Sequence, residues 1–306
     1  MLKLQLETEH YNDIINLFKA QDFQCALKAL ETLKNYIQKL FVNVTDENKI
    51  AIMNRKFDHI LDTVDFAIKY NKVDETDELE LNIVIAVLHD TGRAEEIYSQ
   101  SKNDVFLSRV NHPELGTRYL FDEQHIYEFL TSNFMAADIV SKIKPAVMLH
   151  GNLSYDKGPY NTEQLRLISN IRCYDKIAIF YQMIRTDATL VYQMPMSEVV
   201  KIPISELTKK ELLEDKVPIN RGAEAMTRMR QCLLTVGCIY DPDNDERFYR
   251  YLKETDGINQ FINRLTNEEM TEEQRTIIEL IKMTANNYVN EKLVVNNIER
   301  GLNASL

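Results

Sequence analysis

Leu81-Asn82-Ile83-Val84-Ile85-Ala86-Val87-Leu88-His89-Asp90-Thr91-Gly92-Arg93 is the stretch whose reading decides the fold. Its first eight residues are apolar almost all round, as in a helix buried on every side, and they run straight into His89-Asp90. Gly92 reads as the C-terminal stop of that helix. Upstream, Thr45-Asp46-Glu47 supplies an N-cap with acidic first-turn residues and opens a long helix to about Tyr70. On its wheel Met53, Phe57, Leu61, Val64 and Ile68 form one apolar stripe, while Asp58, Asp62, Asp65 and Lys69 share a polar sector. His59 sits on neither; it falls with Ile52, Thr63, Phe66 and Tyr70 on a second, largely apolar side, as in a helix packed on two faces.

Farther out, Ile14, Ile15 and Phe18, then Ala26, Leu30, Leu33, Ile37 and Leu40, predict two helices over 8–20 and 23–42 that form a packing layer. Downstream, after a loop, Asn111-His112-Pro113-Glu114 reads as a helix start with Pro in the first turn, running through Leu120. A helix over about 125–143 follows, and Pro145 begins a short one that ends at His150 and is closed by Gly151. Residues 152–161 are a loop by composition, and Thr162-Glu163 caps a helix to about Ile184. In that helix Asp175 lies four residues from Ile171 and from Ile179 and seven from Ile168, so its carboxylate projects from an apolar stripe. An unpaired charge there is costly.

Leu190 to Ile204 is the only plausible β element, a short hairpin or an extended connection, and helices near 222–237, 244–255, 257–265 and 271–295 follow it. With eight glycines and seven prolines among 306 residues, helices dominate. The expected fold is therefore all-α: an N-terminal helical layer over 1–45, a core over 46–190 and a C-terminal helical region over 191–306 that is either separate or part of the same domain. No repeat or low-complexity tract stands out.

A formal charge of −11 with no concentrated Lys/Arg block argues against a surface that tracks duplex nucleic acid, although local cations or metals can still hold a small anion. The first residues lack a basic region followed by an apolar stretch, and no run of about 18 apolar residues occurs. Four scattered cysteines, Cys25, Cys173, Cys232 and Cys238, form no C-x-x-C pair, so the expectation is a cytoplasmic, reducing setting without membrane association.

Six histidines occur in the whole chain, and His59, His89, His112 and His150 sit at the ends or inner faces of helices in one stretch. Asp90 and Asp175 are the carboxylates that belong with them. Imidazole with carboxylate suits Mn, Fe, Co or Zn better than Ca or Mg. His59, then His89-Asp90, then Asp175 within Arg172-Cys173-Tyr174-Asp175-Lys176 resembles the H...HD...D signature of the HD-domain metal-dependent phosphohydrolases, over roughly residues 50–185. His112 and His150 resemble the two further histidines of two-metal subfamilies, which include diadenosine-polyphosphate hydrolases and cyclic-dinucleotide phosphodiesterases of the HD-GYP type. Gly151 stands where HD-GYP proteins usually carry another histidine, and no GYP-like motif occurs.

The resemblance implies an HD-type helical bundle with two divalent transition-metal ions per chain. His59, His89, Asp90 and Asp175 would hold the first, and Asp90 would bridge to a second held by His112 and His150. It also implies hydrolysis of a phosphoester or phosphoanhydride in a small, nucleotide-like molecule by metal-activated water. Asp90, Arg93 and Lys176 are the catalytic candidates, the two cations for neutralising phosphate or protonating the leaving oxygen, with surface ion pairing as their alternative. Two other readings share the ligand set: the HD-fold mixed-valence di-iron oxygenases, and a metal-bound regulatory or interaction module without catalysis. His10 and His125 match nothing and read as solvent-side or packing residues. The Asp58, Asp62, Asp65 sector and the 74–80 acidic run read as solvated faces or a helix N-terminus. Arg221, Arg228 and Arg230 read as helix-surface charge before substrate contacts, and Cys232 and Cys238 as core packing.

Overall fold

In a computed structural model, residues 2–71, 76–99 and 111–303 are described, and the side chains at 76, 77 and 296–303 are left aside. The fold is all-α, and no strand occurs among the described residues. Two compact units divide the chain, Met1–Ala178 and Ile179–Leu306.

The first unit begins with α1 (Glu9–Ala20), α2 (Gln24–Phe41), α3 (Glu47–Tyr70) and α4 (Thr76–Leu88). As its apolar pattern demands, α4 is central: Ile83 to Leu88 are all buried, and α2, α3 and the later helix over Ala137–Leu149 pack against it. Asp46, beside the predicted Thr45, caps α3 by accepting from Asn48 N at 3.0 Å. The 74–80 run contains the start of α4, as the helix N-terminus reading expects, but Glu80 is not solvated. It is buried, and its Oε1 accepts from Cys25 N at 2.7 Å and Ala26 N at 3.1 Å, so α4 caps the N-terminus of α2, whose own cap residue Phe23 has no side chain to do so. Asp74 and Glu75 of that run lie outside the described residues. The α3 acidic sector is likewise not a free face: α1 packs over it, Asp62 is buried and Asp65 takes His10 Nε2 at 2.8 Å.

Beyond α4 the chain forms α5 (Gly92–Ser99), α6 (His112–Thr117), α7 (Ile126–Phe129), α8 (Ala137–Leu149) and α9 (Thr162–Arg185), and the division between units falls inside α9. Gly92 therefore opens a helix that sequence reasoning read as loop. Its lack of a side chain is required by close approach, since a Cβ there would meet the His112 carbonyl oxygen at 2.1 Å and Gly116 N at 2.4 Å. Residues 100–110 of the predicted loop lie outside the described residues. The predicted helix over 125–143 is broken into α7, a 3-10 turn at Ser132–Phe134 and α8, and residues 118–122 continue α6 as a π-helical turn. Pro145 does not begin a helix; it lies inside α8. The carbonyl that its missing N–H leaves open, Ser141 O, accepts from Gln164 Nε2 of α9 at 3.0 Å. Gln164 also closes a reciprocal box with Asn161, the residue before the predicted Thr162 cap.

The second unit continues α9 with α10 (Ala188–Tyr192), α11 (Met196–Val199), α12 (Glu206–Lys209), α13 (Arg228–Gly237), α14 (Glu246–Glu254), α15 (Gly257–Thr266) and α16 (Glu272–Asn303). The β reading of Leu190 to Ile204 is overturned: Asp187 caps α10 through Thr189 N at 2.7 Å, and Gln193, at φ 55°, turns the chain before α11. Val199 and Val200 are buried at successive positions, which two-residue alternation cannot express. Phe180 packs edge-on against Phe248 and Phe261, and α16 lies along α14 and α15. Arg230 is not surface charge. It is 2% exposed, donates to Thr208 Oγ1 at 2.5 Å and Asn220 O at 2.9 Å, and pairs with Glu211 at 2.9 Å and Glu224 at 2.8 Å. Among the described residues, no helix is long and apolar enough to cross a membrane.

Candidate metal centre

Two helices of the first unit end in the same way. α4 stops at Leu88 and α8 at Leu149, and the next residue in each case is a histidine. The last carbonyls of a helix have no partner within it. His89 Nδ1–H donates to Ala86 O at 2.7 Å, and His150 Nδ1–H donates to Val147 O at 2.7 Å, each three residues back. A carbonyl can only accept, so each Nδ1 carries the proton and Nε2 is the nitrogen left to serve as a ligand on the other side of the ring. Burial holds the His89 imidazole neutral, its pKa pushed down to about 4.

Those nitrogens face carboxylates. His59, 1% exposed on α3, has Nε2 2.8 Å from Asp175 Oδ1 of α9, and His89 Nε2 lies 3.7 Å from the same oxygen. Asp90 divides its two oxygens. Oδ2 faces His89 Nε2 at 3.8 Å and His59 Nε2 at 3.9 Å, whereas Oδ1 faces His112 Nε2 at 3.1 Å and His150 Nε2 at 3.5 Å. His112 Nε2 and His150 Nε2 are 3.1 Å apart. Two ligand groups result, His59–His89–Asp90 and Asp90–His112–His150, with the potential ligand atoms in each within 4.8 Å of one another. All six residues predicted from the sequence meet in this one place, with Asp175 joined to the first group through His59 and His89.

The charge states suit cation binding. Although burial works against ionisation, the neighbouring Arg93 guanidinium and His112 hold the Asp90 carboxyl well below the carboxylate range. Asp175 is likewise depressed against the effect of burial, chiefly by its hydrogen bond with His59. His112 is pushed well down by burial and by Arg93. Deprotonated carboxylates and neutral imidazoles are the forms a metal requires. His89 Nε2 supplies the test of fit: it is buried at the meeting point and has no hydrogen-bond partner. An acceptor lone pair pointed at carboxylate oxygens is unfavourable until a cation lies between them, so the donor set fits divalent metal ions, and its mixed N/O character suits the transition series.

His59, His89, Asp90 and His150 are at most 3% exposed, whereas the side chains of His112 (12%), Asp175 (13%), Lys56 (19%) and Arg93 (24%) are partly exposed. Two cations are thus among the partly exposed groups beside Asp90. Arg93 Nε lies 3.4 Å from Asp90 Oδ1, and its Nη1 donates to Glu96 at 2.7 Å. Lys56 Nζ is 3.8 Å from Asp90 Oδ2, and burial followed by the charge of Arg93 brings its pKa down to about 8. Sequence reasoning missed Lys56; the signal was its place one turn before His59 on the same side of α3. Lys176 follows Asp175 in α9 and is buried. The two unassigned histidines pack elsewhere, His10 on Asp65 and His125 stacked on Tyr119 with centroids 4.4 Å apart.

Comparison of the chain with protein-family models, with curated proteins and with solved structures returned no match.

Proposed function

We propose that the chain is an HD-type, two-metal phosphohydrolase acting on a small phosphorylated molecule, nucleotide-like in class. The observation that carries the reading is Asp90, whose two oxygens face two histidine groups beside the partly exposed cations Lys56 and Arg93. Bound divalent ions would supply Lewis acidity and a nucleophilic water near neutral pH. Asp90 would hold both ions, with His59, His89 and Asp175 completing one site and His112 and His150 the other. Lys56 and Arg93 sit where they attract and orient an anion and offset charge that grows on phosphoryl oxygens. Lys176 is the further candidate for protonating a leaving oxygen. That pair of cations favours an anionic substrate such as a phosphate ester.

Metal analysis of anaerobically purified protein beside an Asp90→Ala variant tests the site, and a phosphate-release screen with manganese tests the reaction. About two ions per chain, absent from the variant, together with phosphate release, is the expected result. Dioxygen consumption by the iron-loaded protein without phosphate release would replace this reading with that of an HD-fold di-iron oxygenase. A wild-type chain that binds no transition metal would leave a helical interaction protein.

A further inference from the structure

We infer that Arg172 is a positioning residue that holds His150 in register with Asp175, so that the Asp90–His112–His150 group forms as an ion site; the inference rests on the two-metal reading above. Arg172 lies in α9 three residues before Asp175, on the same side of the helix, and is 1% exposed. Its Nη1 donates to Leu149 O at 3.1 Å, to His150 O at 3.4 Å and to Asn152 O. These carbonyls belong to the C-terminal end of α8, where a cation is favoured by both unsatisfied acceptors and the helix dipole.

The direction of the His150 ring is set by that helix end, because its Nδ1–H is anchored on Val147 O. Whatever moves the end moves Nε2 away from Asp90 and His112. The other ties between α8 and α9, Gln164 to Ser141 O and Lys142 to Glu163, lie about two turns earlier along α8, and at the end itself Asn152 N donates to Leu149 O at 3.2 Å, which leaves the carbonyls of His150 and Asn152 to the guanidinium. His89 has no such dependence. Its helix end is closed locally, with Thr91 Oγ1 donating to Leu88 O at 2.8 Å and Arg93 N to Asp90 O at 2.9 Å. The consequence of removing the guanidinium is therefore selective: one ion site loosens and the other does not.

Calorimetric titration of manganese into the metal-stripped full chain, paired with metal analysis, tests this in wild type, Arg172→Met, Arg172→Lys and His150→Ala. In Arg172→Met, one binding step is expected to weaken by about 10–100-fold, the usual effect of losing a residue that orients a ligand, while the other is unchanged. His150→Ala should lose that same step, and Arg172→Lys should recover part of it. Because Arg172→Lys retains a buried cation, it reads the same selectivity should Arg172→Met fail to fold. Two unchanged steps in Arg172→Met would overturn the inference and leave the two-metal reading intact. Equal weakening of both steps, with a lower melting temperature of the metal-free protein, would make Arg172 a general packing residue. A wild-type chain that takes up no manganese, iron, cobalt or zinc would remove the two-metal reading and this inference together.

Discussion

Each unit buries a cluster of charged groups, and the two clusters are built on opposite plans. In the second, Arg230 faces Glu211 and Glu224 and donates to Thr208 Oγ1 and Asn220 O, so its charge is matched within the protein even though Arg230 Nε and Glu211 Oε2 have no hydrogen-bond partner. In the first, imidazole nitrogens and carboxylate oxygens face one another, and His89 Nε2 has no partner. One holds its own cation; the other has a donor set that suits an added one. Buried polarity therefore marks a functional site when its acceptors outnumber its donors.

The largest stability effect should come from breaking the cluster that holds its own cation. Arg230→Met leaves two carboxylates facing a buried apolar side chain, and urea denaturation should show a loss of about 3–5 kcal/mol, the usual result of removing one partner of a buried pair. The cation beside the metal centre should behave in the reverse sense. Burial and Arg93 bring the Lys56 pKa from 10.5 to about 8, so below pH 8 the folded protein carries that charge at a cost. Lys56→Met should therefore stabilise the metal-free protein at pH 7, by roughly 1–3 kcal/mol, while weakening phosphate binding in the manganese-loaded protein. Between pH 8 and 10.5 the unfolded chain binds more protons at this position than the folded one, so wild-type stability rises through that window and the advantage of the variant shrinks. Destabilisation by Lys56→Met in the presence of EDTA would show that its pairing with Asp90 outweighs its burial.

The smallest effect lies outside both clusters and shows how little a half-solvated pair contributes. The hydrogen bond from Asp65 raises the His10 pKa in spite of partial burial. Its contribution is full below pH 6.5 and is lost as pH rises through the raised folded value. A His10→Asn variant should lack that decline, with a change in melting temperature near the limit of measurement.

The six ligand candidates were legible in the sequence because each is polar against an apolar background, and because their order along the chain matches one known arrangement. Asp175 among Ile168, Ile171 and Ile179 is the clearest case. Helix existence followed from periodicity for α1 to α4, α9 and the C-terminal helices. What failed depended on partners distant in sequence. Pro145 looked like a helix start because nothing local shows that Gln164 would serve the carbonyl it leaves open. Glu80 looked solvated within an acidic run, and only the packing of α4 on α2 gives its carboxylate two amides to accept from. Arg230 looked like surface charge since Glu211 and Glu224 lie on separate segments, and Gly92 looked like a stop since the backbone it must approach begins at His112. Lys56 was within reach of pattern reasoning but carries no motif of its own.

The imidazoles locked by Ala86 O and Val147 O have one more consequence. With their tautomers pinned by backbone, the rings cannot swing aside to relieve the facing lone pairs, so an ion-free fold holds an electrostatic repulsion that ion capture discharges. Ion binding of that kind shifts the folding equilibrium in proportion to the logarithm of free-ion concentration. On the two-metal reading, the heat resistance of the first unit would become a gauge of the transition-metal supply around it.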